Sequence, residues 1–395
     1  MPVTTLSELT TLRVGGPAGR LVTATTQRDL VDLATRSWAE DDALLVVGGG
    51  SNLLVADAGV PGTVLRIATR GIEELPREGV AEGLVRIRVQ AGEPWDELVA
   101  YTVGRGWAGI EALSGIPGLT GAAPVQNIGA YGQEVSASLV AIDFLEAGAD
   151  APVRMPVEEL ELGYRTSVLK RGLEGIVVAV ELELHDTAAE AAVLGEALGQ
   201  PIAYAQLADA LGVQPGDRVP LASVREAVLA LRRSKGMVLD ADDPDTASAG
   251  SFFTNPIVTE RFARTLPAAA PRWYLEPDAP DEVVPLSSST ASPLDDFLAY
   301  QQETAVATAA EPVPEGPVLV KLSAAWLIEH SGIHRGFALP GSRAAISSKH
   351  TLSLTNRGGA TAEELVELAR FVQNRVQAEF GVLLQPEPVL VGLEL

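Results

Sequence analysis

The chain has 395 residues, room for two or three domains, and 47% of them are hydrophobic, which excludes wholesale disorder. A formal net charge of −23 excludes sequence-independent nucleic-acid binding, so an anionic ligand must be caught by a local group of Lys and Arg. The absence of cysteine excludes disulfides, thiolate metal sites and a cysteine nucleophile.

In chain order, the opening Met1-Pro2-Val3-Thr4-Thr5 lacks the basic-then-apolar pattern of a secretion signal. No apolar run approaches the length of a membrane span, so a cytoplasmic protein without membrane attachment is expected. Gln27 to Ala39 reads as an amphipathic helix with Leu30, Val31, Leu33 and Ala34 on one face. Leu44-Leu45-Val46-Val47 reads as a fully buried strand stopped by Gly48-Gly49-Gly50. Arg86 to Gln90 alternates as a half-buried strand, and Ile176 to Leu182 is another strand. Between them, Pro94 to Val103 predicts a helix that begins on proline and is closed by Gly104. The segment 276–316, rich in Pro, Ser, Ala and acids, reads as a surface insertion. Thr361-Ala362-Glu363-Glu364 is a capping box, opening a helix whose apolar stripe is Leu365, Leu368, Phe371, Val372 and Val376.

A literal G-x-G-x-x-G occurs at Gly104 to Gly109, but it follows a helix where the dinucleotide fingerprint must follow a strand. It is therefore a decoy. Gly48-Gly49-Gly50-Ser51-Asn52 follows a strand, and its glycines would let backbone amides converge on a pyrophosphate, with the Ser51 hydroxyl and Asn52 amide as further donors. An ordinary tight turn accounts for that pentapeptide equally well. A second run, Ser114 to Gly132, carries glycines at 115, 118, 121, 129 and 132 and no charge at all. Such a segment lies against something large, flat and partly apolar, and an isoalloxazine ring fits. The segment Ala249-Gly250-Ser251-Phe252-Phe253 sets one hydroxyl between a glycine and two aromatics, with no adjacent histidine to make a nucleophile of it. That hydroxyl can still hand a proton to a carbanion formed beside it. His330 and His334 are four apart, but Gly332 between them argues against a shared helical face, and no metal site is expected.

Seven pieces in order resemble the UDP-N-acetylenolpyruvoylglucosamine reductase family: Thr11 to Ala18, Gly48 to Asn52, Gly115 to Gly132, Gly163 to Ser167, Ala249 to Pro256, Lys321 to Glu329, and Gln385-Pro386-Glu387. The resemblance implies an α+β fold, a two-part FAD-binding unit of the vanillyl-alcohol-oxidase (PCMH) type followed by an α/β substrate-binding domain. The implied division is 1–72, 73–235 and 236–381, with 382–395 returning to the first part. Implied cofactor contacts are Gly48, Gly49, Gly50, Ser51, Asn52, Gly115, Ile116, Pro117, Gly118, Gly121, Asn127, Gly129, Ala130 and Tyr131, holding FAD non-covalently.

By the same resemblance Arg165 matches the active-site arginine, Ser251 the proton donor and Glu387 the acidic catalytic residue. Tyr204 looks like the tyrosine of the substrate-closing loop in the longer branch of the family, and Lys235, Asn255 and Lys321 match contacts to the nucleotide-sugar. The implied reaction reduces an enolpyruvyl ether with NADPH as co-substrate, and negative charge then spreads into the pyruvyl carboxylate. An arginine fork suits that carboxylate, whereas Glu387 helps only if neutral, which burial can achieve. No protein partner is expected. Two features depart from the family: Pro388 follows Glu387 where a strand normally starts, and 276–316 is longer than the usual connection. A related flavin oxidase or dehydrogenase and a flavin-binding protein without turnover are the alternative readings; the joint presence of Arg165, Ser251 and Glu387 speaks against the latter.

Overall fold

Residues 4–40, 42–275 and 317–395 are described by the computed structural model, and the insertion read at 276–316 lies outside them. The chain divides into a larger unit, Met1–Thr254 with Ile328–Leu395, and a smaller one, Asn255–Leu327.

The larger unit begins with β1 (Ala18–Ala24), α1 (Gln27–Ala39), β2 (Leu44–Val47), β3 (Leu53–Val55) and β4 (Val60–Ile67). Three of these strands form a parallel sheet in the order β1-β4-β2. Thr26 is extended and its hydroxyl accepts from the Asp29 amide at 3.0 Å, so α1 starts where the sequence predicts. The helix buries Leu30 and Ala34 in a core shared with Leu65 and Ile67 of β4. The expectation of full burial for β2 is corrected: only Val47 is buried, because β2 is the sheet's edge and keeps one side open.

The second layer follows with β5 (Ile72–Glu74), β6 (Leu84–Gln90), α2 (Trp95–Gly104), β7 (Trp107–Ala108), the hairpin β8 (Gly129–Ala130) and β9 (Gln133–Glu134), β10 (Leu139–Glu146), β11 (Val153–Pro156) and β12 (Gly175–Asp186). Its main sheet is antiparallel, ordered β11-β10-β12-β6-β5 with β7 also on β12. β6 alternates between buried and half-buried positions, the period-two pattern of a strand with one face in the core. Trp95, Leu98 and Val99 of α2 pack into that core with Ile87, Val180 and Leu182. The predicted bounds of α2 shift by one residue. Pro94 is the N-cap, Gly104 is still helical, and the left-handed turn falls on Gly106 (φ 73°), whose amide donates to Val103.

Three helices, α3 (Ala188–Leu194), α4 (Ala205–Leu211) and α5 (Leu221–Ser234), come next. Leu207 and Ala208 of α4 pack on Val224 and Val228 of α5, with Tyr131 at the margin of that cluster.

The smaller unit is built on an antiparallel sheet of β13 (Ile257–Thr259), β14 (Arg272–Leu275) and β15 (Leu319–Leu322), with β15 in the middle. It also holds the short α6 (Glu260–Ala263) and the start of α7 (Ala324–His330). Beyond it, Gly332 at φ 88° keeps His334 off the helix that ends at His330.

The larger unit then continues with the hairpin β16 (Ala344–Ile346) and β17 (Leu354–Asn356), α8 (Ala362–Phe380) and β18 (Val389–Val391). β18 pairs in parallel with β3. α8 buries Leu365, Leu368, Val372 and Val376, and its capping box is formed in both directions. A second cap comes from far away: the Asp57 carboxylate accepts from the amides of Ala362 and Glu363 at 3.0 and 3.3 Å. Thr361→Ala is expected to cost about 1 kcal/mol in denaturant unfolding. An unchanged midpoint would show that Asp57 satisfies the helix start unaided.

Candidate active site

The two glycine-rich segments meet. The Ser51 hydroxyl donates to the Pro117 carbonyl at 3.0 Å. A Cβ on Gly49 would lie 2.8 Å from the Gly118 Cα, and one on Gly118 the same distance from the Ser51 hydroxyl. Gly50, at φ 58°, has the Leu9 carbonyl where a side chain would go. Glycine is thus required for two loops to pass each other. The Asn52 side-chain amide donates to Gln126 Oε1 (2.7 Å) and the Glu387 carbonyl (3.3 Å), so both side-chain donors of the first loop bind protein. The backbone amides of Gly49, Gly50, Ser51 and Asn52 make no hydrogen bond among the described residues. They are the donors left for an anion.

Asp96, in the first turn of α2, anchors the second loop. Its carboxylate accepts from the Gly115 amide at 2.6 Å and takes the Arg225 fork at 2.6 and 2.9 Å. Burial works to raise the Asp96 pKa, but these donors win and hold it below the usual range. Because the folded-state pKa is depressed, this contribution is present above the usual aspartate range and is lost as pH falls below it. On the facing helix Arg232 is nearly closed off from solvent, and a Cβ on Gly115 would lie 3.4 Å from its Cδ. One Arg232 terminal nitrogen reaches the Met237 carbonyl at 3.1 Å, but its Nε has no partner. A buried cation with an unused donor, beside a glycine-lined loop with open amides, fits an extended ligand with acceptor groups such as FAD.

Arg165 sits at φ 55°, a backbone conformation uncommon for a residue with a side chain and one that aims it inward. Its guanidinium donates to the carbonyls of Asn127 (3.2 Å) and Gly129 (2.6 Å). Its Nε lies 3.6 Å from Glu387 Oε1, both side chains being largely buried. The Glu387 amide donates to the Phe252 carbonyl at 2.8 Å and the Thr254 amide to the Gln385 carbonyl at 3.0 Å, so 252–254 and 385–387 run side by side. Ser251 is the next residue along the first of these segments. Gly250 before it, at φ 73°, turns the chain, and the Ser251 hydroxyl makes no hydrogen bond among the described residues. Burial pushes the Glu387 carboxyl above its usual range, against the opposing pull of Arg165 and Lys170. Pro388 does no harm: β18 starts at Val389, whose amide donates to the Asn52 carbonyl at 2.9 Å.

A third group lies nearby in sequence and space. Tyr131, at the end of the second glycine run, packs edge-on against Tyr204 at 5.8 Å and lies under the Lys235 ammonium at 5.4 Å. Tyr204 is 45% exposed and caps α4, whereas Lys235 caps α5 and reaches Gln206 Oε1 at 2.9 Å. Burial, then Arg232, pulls the Lys235 ammonium below its usual range.

The remaining two predicted residues belong to the smaller unit. The Asn255 carbonyl oxygen accepts from the Ala324 amide at 3.0 Å, and Lys321 lies on β15 between Ile257 and Trp273. Gly121 packs on Ala91, and Ile116 and Ala130 border the main core.

Sequence reading passed over three residues: Asp96, Arg232 and Lys170. Asp96 had a weak signal, as an acid in the first turn of a helix ahead of a glycine run. Lys170 had a better one, being the only charge in Ser167-Val168-Leu169-Lys170, five residues after Arg165. Arg232 looks like any surface arginine in a helix and gave none.

A glycine-walled cradle with open amides, beside a buried arginine and a carboxyl that burial pushes above its usual range, fits a flavin-dependent oxidoreductase. Comparison with known proteins agrees. Residues 18–148 match the model of an FAD binding domain, and 242–391 match that of the UDP-N-acetylenolpyruvoylglucosamine reductase C-terminal domain. The UDP-N-acetylenolpyruvoylglucosamine reductase of Leifsonia xyli is 57% identical over 390 residues, 99% of this chain and 98% of that one. That of Saccharopolyspora erythraea is 47% identical over 99% of this chain and 95% of its own. Among solved structures, the reductase from Thermus caldophilus superposes with a TM-score of 0.59 at 26% identity, covering 98% and 97% of the two chains. The chain belongs to the UDP-N-acetylenolpyruvoylglucosamine reductase family. Its FAD-binding unit is of the vanillyl-alcohol-oxidase type within an α+β fold.

The loop contacts predict a graded result. Gly49→Ala and Gly118→Ala should each lower the ratio of flavin to protein absorbance after purification. Gly104→Ala, in the decoy motif and with open space around it, should leave that ratio unchanged. Equal retention in all three would show that the loops do not form the cradle.

Proposed function

We propose that the chain reduces the enolpyruvyl group of UDP-N-acetylglucosamine enolpyruvate to give UDP-N-acetylmuramate, a peptidoglycan precursor, with NADPH as reductant and FAD as bound cofactor. The observation that carries this is the gathering of Arg165 and Glu387 where 252–254 and 385–387 pair, with Ser251 adjoining. Supporting it are relatives that this chain matches over 98% and 95% of their length. FAD, when bound, supplies hydride transfer; the backbone amides of 49–52, the loop from Gly115 to Tyr131, and Arg232 would hold it.

The chain's own residues then handle charge and one proton. Arg165 would grip the pyruvyl carboxylate, where negative charge accumulates, with its planar fork. Glu387, whose carboxyl burial pushes above its usual range, would in its protonated form donate a hydrogen bond to that charge without repelling it. Ser251 would give its hydroxyl proton to the neighbouring carbon, and its fixed side of approach sets the product's handedness. A hydroxyl is a weak acid, so this transfer needs the strong base that the reduced carbon provides. By their match to the family's motifs, Tyr204, Lys235, Asn255 and Lys321 are each proposed as contacts to the nucleotide-sugar, lysine supplying the charge that a diphosphate needs in a protein of net charge −23. The division into 1–72, 73–235 and 236–381 is proposed as the functional partition, supported by the β3–β18 pairing for the returning end. Among the described residues no helix is long and apolar enough to cross a membrane, and the cytoplasm is the proposed setting.

Purified protein should be yellow, bleach anaerobically with NADPH and recover its colour on adding the enolpyruvyl nucleotide-sugar; no recovery ends the proposal. Ser251→Ala should leave bleaching nearly intact while slowing recovery by about 10²–10⁴-fold. Equal damage to both steps would remove Ser251 from the proton-donor role.

A further inference from the structure

The environment of Glu387 holds a second cation that nothing above assigns. Lys170 follows the Gly163-to-Ser167 segment, and its position is fixed by the buried Ser167. That hydroxyl donates to the Val125 carbonyl at 2.6 Å and accepts from the Lys170 amide at 3.1 Å. The Lys170 ammonium donates to the Glu387 carbonyl at 3.4 Å, and the Asn52 amide shares the same oxygen. With the Glu387 amide on Phe252, the main chain of Glu387 is thus held from three directions. Among the described residues the charged groups that bear on the Glu387 carboxyl are Arg165 and Lys170, and those that bear on Lys170 are Glu387 and Arg165.

Burial alone would make Glu387 a very weak acid, slow to share its proton, and Arg165 is committed to two carbonyls and, on the reading above, to the substrate carboxylate. We propose that Lys170 is a positioning residue for Glu387: its ammonium pins the acid's main chain at the carbonyl, and its charge favours the ionised form of the carboxyl. Two further observations agree. Burial drives the Glu387 carboxyl up while Lys170 pulls it down, and burial lowers the Lys170 ammonium while Glu387 supports it. The proposal rests on the reading of Glu387 as the acid of this site.

The sign follows directly. Removing the Lys170 charge destabilises the Glu387 carboxylate, so the acid should stay protonated to higher pH. The test is difference infrared titration of the FAD-loaded enzyme without substrate, the Glu387 carboxyl band being assigned by its loss in Glu387→Gln. Lys170→Met should shift the band's midpoint upward, Lys170→Arg should leave it in place, and Lys170→Gln should shift it like Lys170→Met while retaining a donor to the Glu387 carbonyl. In stopped flow, the alkaline limb of flavin reoxidation should move with the band, whereas flavin reduction by NADPH should change less than twofold. An unmoved midpoint in both Lys170→Met and Lys170→Gln overturns the proposal, and so does a midpoint that moves down. Should Lys170→Met not load FAD, Lys170→Gln alone decides. Failure of the parent enzyme to be reoxidised by the enolpyruvyl nucleotide-sugar would count against the proposed substrate, leaving the infrared result on Lys170 standing.

Discussion

Two backbone hydrogen bonds organise the chemistry: Glu387 amide to Phe252 carbonyl and Thr254 amide to Gln385 carbonyl. They bring together segments more than a hundred positions apart and lay the serine's segment against that of the glutamate. Everything else about the site depends on this register. Arg165 lies beside the Glu387 carboxylate, and the Glu387 carbonyl is itself held by Asn52 and Lys170. A one-residue slip would turn the acid to the opposite side and set Pro386 or Pro388 in its place.

Acidity over the whole surface gives the few inward cations their meaning. Arg165, Lys170, Arg232 and Lys235 come from two stretches, 165–170 and 232–235, both adjoining the glycine-rich run that ends at Tyr131. Bringing several positive groups together with few counter-ions is unfavourable, and the lowering of Lys170, Arg232 and Lys235 records the burial that each endures. A ligand with a diphosphate and a carboxylate would relieve that state.

Much of this was legible in the residues. α1 and α8 announce themselves through their period, α8 also through the Thr361 capping box, and the glycine runs marked the two segments that the structure brings together. The family resemblance supplied Arg165, Ser251 and Glu387, which no spacing rule links. What stayed hidden is what depends on distant partners. The edge position of β2 follows from sheet order, not from its own four apolar residues. The engagement of Ser51 with Pro117 and of Asn52 with Gln126 turns two expected ligand donors into struts. Arg232 reads as an ordinary surface charge until its burial is known.

The pairing of β3 with β18 joins Leu53 to Val389, nearly the full span of the chain. The loop before β3 carries the open amides, and the segment before β18 carries Glu387. Closing so large a loop is entropically costly and is repaid only once most intervening structure has formed. Ordering of this corner is therefore a late event in folding. A newly made chain would acquire its secondary structure well before it could retain a coenzyme, and coenzyme uptake would report the completion of folding.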